Sequence, residues 1–433
     1  MGGRGASLAD LDRLYFQGSP VELATAVAAL PKAYALSMRE LYEQVISDVR
    51  DGKAGTIHPE LYRAYSENLR KAVSGYADDD LKVQFEANLS RFAAYKAWHA
   101  TRQLERQLAD SDGVARLPEA FDRMARAVLN TFNRYQAAEY NTAVARARTS
   151  KQWADFSQGD NMFLFPNIRW LPSRSANPRE QHMPFYNRVW AKTDPFWNSN
   201  QPGNLWNCKC DWEETDDPVT GDNPEGLKPA KGLEGNPAQT GQIFTDECTY
   251  VQKAGVKGGQ NVEEFFRPIA EHHKQCISLR KDPDYNEVKF DWGNGGLKAT
   301  HVDHHFDETG GVYEEHVRDA GYKAGHAVIL EAEPGTTYGL RYTEGTWDGK
   351  KFEVAGRETA TEGNVFRGLK HCASKRTTKI ALLDYPKGGF DQAILESAIN
   401  RYKGLEKLQD GQYIHFEKII CVQDETIVFE TTI

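Results

Sequence analysis

Chemistry needs particular side chains at particular spacings, and the run LKATHVDHHFDE at 297 to 308 supplies one such set. On an extended segment His301, Asp303 and His305 fall on one side and His304 on the other. Histidine and aspartate at alternate positions suit Zn²⁺ or Mn²⁺. Histidine alone titrates near neutral pH without help, which suits acid/base catalysis. The same run also reads as a polar strand edge with solvated imidazoles.

Downstream, His326 opens the run HAVILEAE and Glu353 sits inside KKFEVAG. Lys370, His371, Lys375, Arg376 and Lys379 then form the main concentrated positive patch of an otherwise acidic chain. Imidazoles, one embedded carboxyl and local cations are what metal-free RNA cleavage needs. A base takes the proton of the ribose 2′-OH, a cation meets the charge on the phosphorane, and an acid protonates the leaving 5′-oxygen. The expected catalytic set is therefore His301, His326, Glu353, Lys370, His371 and Lys375. His301 or His326 and His371 serve as acid and base, and Lys370 and Lys375 hold the phosphate.

A further set lies in FWNSNQPGNLWNCKCDW at 196 to 212. Cys208 and Cys210, two positions apart on an extended segment, project to the same side, and His182 lies upstream. Zinc on these three is one reading, although the sequence offers no recognisable fourth ligand. A disulfide across so short a ring strains the bond. The preferred reading is packing: the thiols act as small buried hydrophobes, pinned on a helical layer by Trp206 and Trp212. Arg179 and His182 of NPREQH take a structural role, and no cofactor is expected.

These groups must be positioned by at least two folding units, because 433 residues exceed what one core usually serves. In QFEANLSRFAAYKAWHATRQLERQLA, Phe85, Leu89, Phe92 and Tyr95 recur on one helical face. A second amphipathic run extends from Phe121 to Phe156. From about Trp170 prolines and turn formers predict short strands and ordered loops, with five of the nine tryptophans between 170 and 212. Residues 216 to 262 read as a Gly/Pro-rich linker, with one docked turn near Ile243 and Phe244. Beyond it, helices are predicted at 262 to 280, 312 to 323 and 390 to 403, and strands in HAVILEAE, TKIALLDYP, IHFEKIICV and TIVFETTI. The last two pair as a hairpin through Gln423, Asp424 and Glu425. The expected fold is thus multidomain: a mainly α N-terminal domain with a small turn-rich α+β cap, then a C-terminal α+β domain with an antiparallel sheet.

Composition removes several classes. No apolar run approaches the roughly 20 residues that cross a bilayer, so no membrane partner is expected. The first twenty residues lack the apolar core of a signal peptide, so no secretory route is expected. A net charge of −9 argues against coating nucleic acid by bulk electrostatics, and any such contact must be local. Six scattered cysteines fit a reducing compartment better than a disulfide scaffold.

The ordered series EYNTAVARAR, NPREQH, TDPFW and PGNLWNCKC, within residues 10 to 215, resembles the MuF family of phage minor head, or head-morphogenesis, proteins. GNPAQTGQIF at 235 to 244 resembles the extension that often follows this domain. The resemblance implies a virion protein at the capsid interior or portal vertex, present in few copies, with portal and capsid proteins as partners. Within an expected domain of residues 263 to 433, about residues 285 to 433 resemble, by element order, the phage-borne barnase/EndoU/colicin/RelE-like toxin nucleases and the tRNase domains of contact-dependent inhibition. That likeness rests on Glu315, His326, Glu353, Lys370 and His371, and implies an RNA (tRNA) substrate in the bacterial cytoplasm and an immunity protein as a further partner. Where those tRNases tend to have Glu-x-Lys, this chain has Glu353-Val354-Ala355, which favours a metal-independent mechanism. The rival reading is a purely structural virion protein. An ADP-ribosyltransferase is disfavoured because no Arg, Ser-Thr-Ser and Glu-x-Glu series is present.

Overall fold

The computed structural model describes residues 38–432 apart from 77–79, 160, 222–223, 225–227, 307–309, 333–341, 376, 386–390 and 409–415. The expected first domain's residues 10–37, and Arg376 of the basic patch, lie outside the described residues. The chain divides into two compact units, Met1–Phe266 and Arg267–Ile433.

Among the described residues the first unit opens with the helices α1 (Met38–Arg50), α2 (Pro59–Arg70), α3 (Asp80–Glu105) and α4 (Pro118–Phe156). Both α2 and α4 open on proline, where a missing N–H costs no helical bond. On α3 the face expected from the spacing of Phe85, Leu89, Phe92 and Tyr95 is buried throughout. Among these apolar groups Lys96 of α3 pairs with Glu139 of α4, both fully buried. The Tyr250 hydroxyl donates to the other Glu139 oxygen at 2.9 Å.

A short helix, α5 (Asn161–Leu164), precedes a three-stranded antiparallel sheet in the order β2-β1-β3. Its strands are β1 (Asn167–Leu171), β2 (Val189–Ala191) and β3 (Asp211–Thr215). Trp170, Trp190, Trp197 and Trp212 share one buried cluster with Cys208 and Cys210. Trp212 stacks on Trp153 of α4 at 5.9 Å, so it pins the segment to the helical layer as expected. Trp206 does not. It stacks on Phe244 at 5.2 Å, within the segment read as a linker.

That segment needs correction. From Lys228 it is packed into the first unit: Leu233, Ile243 and Phe244 are buried, and α6 (Pro237–Thr240) forms within it. The division between units falls after Phe266, not around 216 to 262. Sparse apolar composition suggested a linker because it omits the contribution of polar anchors. Arg146 of α4, itself buried, donates to the carbonyls of Leu233 at 2.8 Å and of Glu234 and Gly235 at 3.3 Å each. Burial lowers its guanidinium pKa to about 9. Arg146→Met strands those carbonyls, and about 2–4 kcal/mol of lost stability is expected in urea unfolding. Faster proteolytic nicking between 228 and 244 accompanies it.

Helix α7 (Thr249–Lys281) leads into the second unit, with a non-helical break at Gly255, whose φ of 67° is in the left-handed region. The second unit holds one eight-stranded sheet whose spatial order follows the sequence. The strands are β4 (Tyr285–Phe290), β5 (Leu297–His301), β6 (Ala327–Leu330), β7 (Gly345–Trp347), β8 (Lys350–Gly356), β9 (Ile380–Asp384), β10 (Lys418–Gln423) and β11 (Thr426–Thr432). The final hairpin is present, turning on Asp424 and Glu425, both with positive φ.

The sheet is mixed, not antiparallel throughout. β5/β6, β8/β9 and β9/β10 pair in parallel, and helices α8 (Gly311–Ala324), α9 (Glu362–Ala373) and α10 (Gln392–Leu408) make the three crossovers. Parallel strands demand such crossovers and burial on both faces. β6 and β9 show it, being buried at every position. Alternate residues of β9 point to opposite cores: Ile380 and Leu382 join Val317 and Ala320 of α8, while Ala381 and Leu383 join α9 and α10. It follows that β5, β6, β8, β9 and β10 all run in one direction, and their C-terminal ends share an edge.

Candidate active site

At that edge lies a cavity of about 440 Å³, lined by His305, Gly310, Tyr313, Glu314, Glu344, the β8 end Val354–Gly356, Arg357, Arg367, Gly368, His371 and Lys375. Open sheets of this kind generally bind ligands beyond the carboxyl ends of their parallel strands. One face of α9 supplies the far wall. Arg367, His371 and Lys375 recur at intervals of four, so they stand in a column along the helix and just past its end.

The centre of the site is Glu353. Its side chain projects from β8 and is fully buried. One carboxylate oxygen, Oε1, meets both His371 Nε2 at 3.1 Å and Lys375 Nζ at 2.7 Å. The other, Oε2, is buried and makes no hydrogen bond among the described residues. Lys375 also reaches Glu344 Oε1 at 2.8 Å. Burial pushes the Glu353 carboxyl up to about 7, and the hydrogen bond from His371 only partly opposes it. The neighbouring Glu344 adds to the rise. Lys375, between two carboxylates, is held above its ordinary range despite its own burial.

This geometry fixes the imidazole. A carboxylate oxygen accepts, so Nε2 of His371 donates to Glu353 and the lone pair rests on Nδ1. The ring is more than half exposed, whereas Glu353 is not exposed at all. His371 is therefore the group that can meet a substrate, and Glu353 orients it from behind, the logic of carboxylate–histidine pairs in general. Arg357 and Arg367 line the same cavity and supply positive charge.

Two further imidazole–carboxylate pairs stand at this end of the sheet. His304 donates through Nδ1 to the Glu331 carbonyl at 2.8 Å and places Nε2 3.0 Å from Glu314 Oε2. With Glu344 these form a buried group of ligand type. A divalent ion there has to compete with Lys375 for Glu344. His316 of α8 meets Asp384 Oδ2 at 2.9 Å, at the C-terminal end of β9.

Of the six residues expected to be catalytic, the structure brings together Glu353, His371 and Lys375. Lys370 precedes His371 by one position, which on a helix turns it about 100° away. It is exposed and lies 5.9 Å over the Phe366 ring, outside the cavity lining. His301 stays at the correct end of β5, yet its ring packs against Tyr285 of the edge strand β4 at 5.1 Å. His305, four residues later, lines the cavity. His326 precedes β6 and binds Asp348 at 2.7 Å in the β7–β8 turn, at the opposite end of the sheet. Glu315 of α8 is absent from the lining, which takes its neighbour Glu314. Sequence reasoning missed Arg367, which the four-residue interval back from His371 marks, and Arg357, Glu314 and Glu344, which depend on strand pairing for their place.

In the first unit, His182, Cys208 and Cys210 do converge, all buried, and Arg179 braces the Trp206 carbonyl at 3.1 Å. No helix among the described residues is long and apolar enough to cross a membrane. No family model matches the chain, and neither the curated proteins nor the solved structures yielded a match.

Proposed function

We propose that the second unit is a metal-independent ribonuclease of the phage toxin type, carried behind a minor head module that meets portal and capsid proteins. The observation that carries the reading is the buried Glu353 carboxyl braced against His371 and Lys375 beside a cation-lined cavity. In the reaction, His371 Nδ1 takes the 2′-OH proton. The 2′-oxygen bonds to phosphorus, the bond to the 5′-oxygen breaks, and that oxygen leaves with a proton supplied from across the cavity, where His305 stands. Arg357, Arg367 and Lys375 meet the charge that builds on the phosphoryl oxygens. The head-module half of the reading is supported by the ordered motifs between 139 and 210. It has a surface available too: Met162, Phe163, Leu164 and Phe165 are all exposed, Phe163 at 87%.

The full chain incubated with total tRNA is expected to leave 2′,3′-cyclic phosphate and 5′-hydroxyl ends, at an unchanged rate in excess EDTA. Loss of cleavage in EDTA instead assigns the work to an ion on His304, Glu314 and Glu344. If no RNA is cut, and expression of the chain and of its His371→Ala variant affects bacterial growth alike, the purely structural virion reading takes its place.

A further inference from the structure

His182, Cys208 and Cys210 sit in the first unit, apart from the chemistry proposed above, and a neighbouring amide sets the tautomer of the histidine. Nε2 of His182 lies 2.8 Å from Asn204 Oδ1. That amide is oriented by its own nitrogen, which donates to the Ser199 carbonyl at 3.4 Å. An amide oxygen only accepts, so the proton of His182 is on Nε2 and the lone pair is on Nδ1. Both sulfurs face that lone pair, Cys208 Sγ at 3.3 Å and Cys210 Sγ at 3.4 Å. His182 and Asn204 are wholly buried, and the two cysteines nearly so.

This is the preparation a metal-ligating histidine receives: the distal nitrogen bound to a neighbour, the proximal one aimed at the ion. The spacing agrees. A tetrahedral Zn²⁺ with ordinary Zn–N and Zn–S bonds sets its nitrogen and sulfur ligands about 3.5 Å apart. An independent observation concerns Trp170, which has no exposed surface and whose indole N–H has no hydrogen-bond partner among the described residues. Its ring meets His182 edge-on at 5.1 Å, and the Tyr186 hydroxyl, also buried without a hydrogen-bond partner among the described residues, belongs to a ring packed against the same cluster.

We propose that His182 Nδ1, Cys208 Sγ and Cys210 Sγ bind one zinc ion, with the Tyr186 oxygen or a water completing the tetrahedron. Binding expels the two thiol protons to solvent and involves no redox change. The ion ties the 3₁₀ turn Glu180–Phe185 to the loop entering β3, so its role is to hold the aromatic clasp together.

Elemental analysis of the full chain, purified after growth with added zinc, tests this. About one zinc per chain is expected. Cys208→Ser/Cys210→Ser drops it to background, while Cys248→Ser, which removes a buried thiol elsewhere in the unit, retains it. Because the double variant can fail simply by unfolding, the wild-type chain is also loaded with Co²⁺. Intense visible bands of a tetrahedral thiolate site support the assignment. A folded wild-type chain that holds no zinc after loading and dialysis, shows only the pale spectrum of hydrated Co²⁺, and leaves both thiols freely titratable on denaturation overturns it in favour of plain packing.

Discussion

Replacing His371 with alanine is expected to lower the rate of RNA cleavage by about 10³-fold, and Glu353→Gln by about 10²-fold, with KM changed little in either. The two differ in pH response. Glu353 has to be ionised to stabilise the imidazolium that His371 becomes, and burial delays that ionisation to about pH 7. Wild-type activity should therefore climb as pH rises through about 7, and in Glu353→Gln that limb disappears. Stability moves the other way. A carboxyl whose folded pKa is raised from 4.5 to about 7 stays protonated in the folded chain while the unfolded chain has already ionised. The stability is thus full below about 4.5 and is lost as pH rises toward 7, by on the order of 3 kcal/mol. Unfolding curves of wild type and Glu353→Gln across that window should converge at acid pH and part toward neutrality. A rate profile in Glu353→Gln with the wild-type ascending limb would mean the carboxyl does not govern His371.

The second large effect is structural. Lys96→Met removes the partner of Glu139 inside a helical core where neither side chain has any exposed surface. Burial depresses the Lys96 pKa and the Glu139 charge only partly offsets it, and stranding that carboxylate costs about 3–5 kcal/mol. For a unit of this size the shift in Tm is on the order of 10 °C. Lys96→Met combined with Glu139→Leu should recover most of the loss, because two apolar groups of similar volume leave no buried charge behind. The Tyr250 hydroxyl, which then loses its acceptor at Glu139, keeps the recovery incomplete. Calorimetry of the two variants checks this; a double variant no more stable than the single one would locate the damage in packing and not in charge.

Sequence periodicity found α3 and α4 because each carries a long apolar face, and it found β6 and β9 because unbroken apolar runs survive only where both faces are covered. It misjudged 228 to 262, where a few apolar groups are supplemented by polar anchors that composition cannot register: buried Arg146 donates to backbone carbonyls, and the Asn88 amide bonds both backbone groups of Phe244. The active-site reading shows the same divide. Glu353, His371 and Lys375 were legible, since a carboxyl embedded in an apolar strand and cations at a helix end are unusual locally. His326 was misplaced because its position depends on which end of β6 faces the cavity, and strand direction follows from the parallel crossovers. Glu344 and Arg357 have ordinary sequence neighbours and gain their place only from pairing.

Five strands that point the same way gather their departing loops at a single edge. On the ribonuclease reading proposed above, specificity and folding draw on different residues: His305 and Arg357 lie on loops leaving this edge, while the strands beneath them carry the core. On that reading, this edge is where preference for one RNA over another is set, and so the place where change in substrate leaves the fold beneath it untouched.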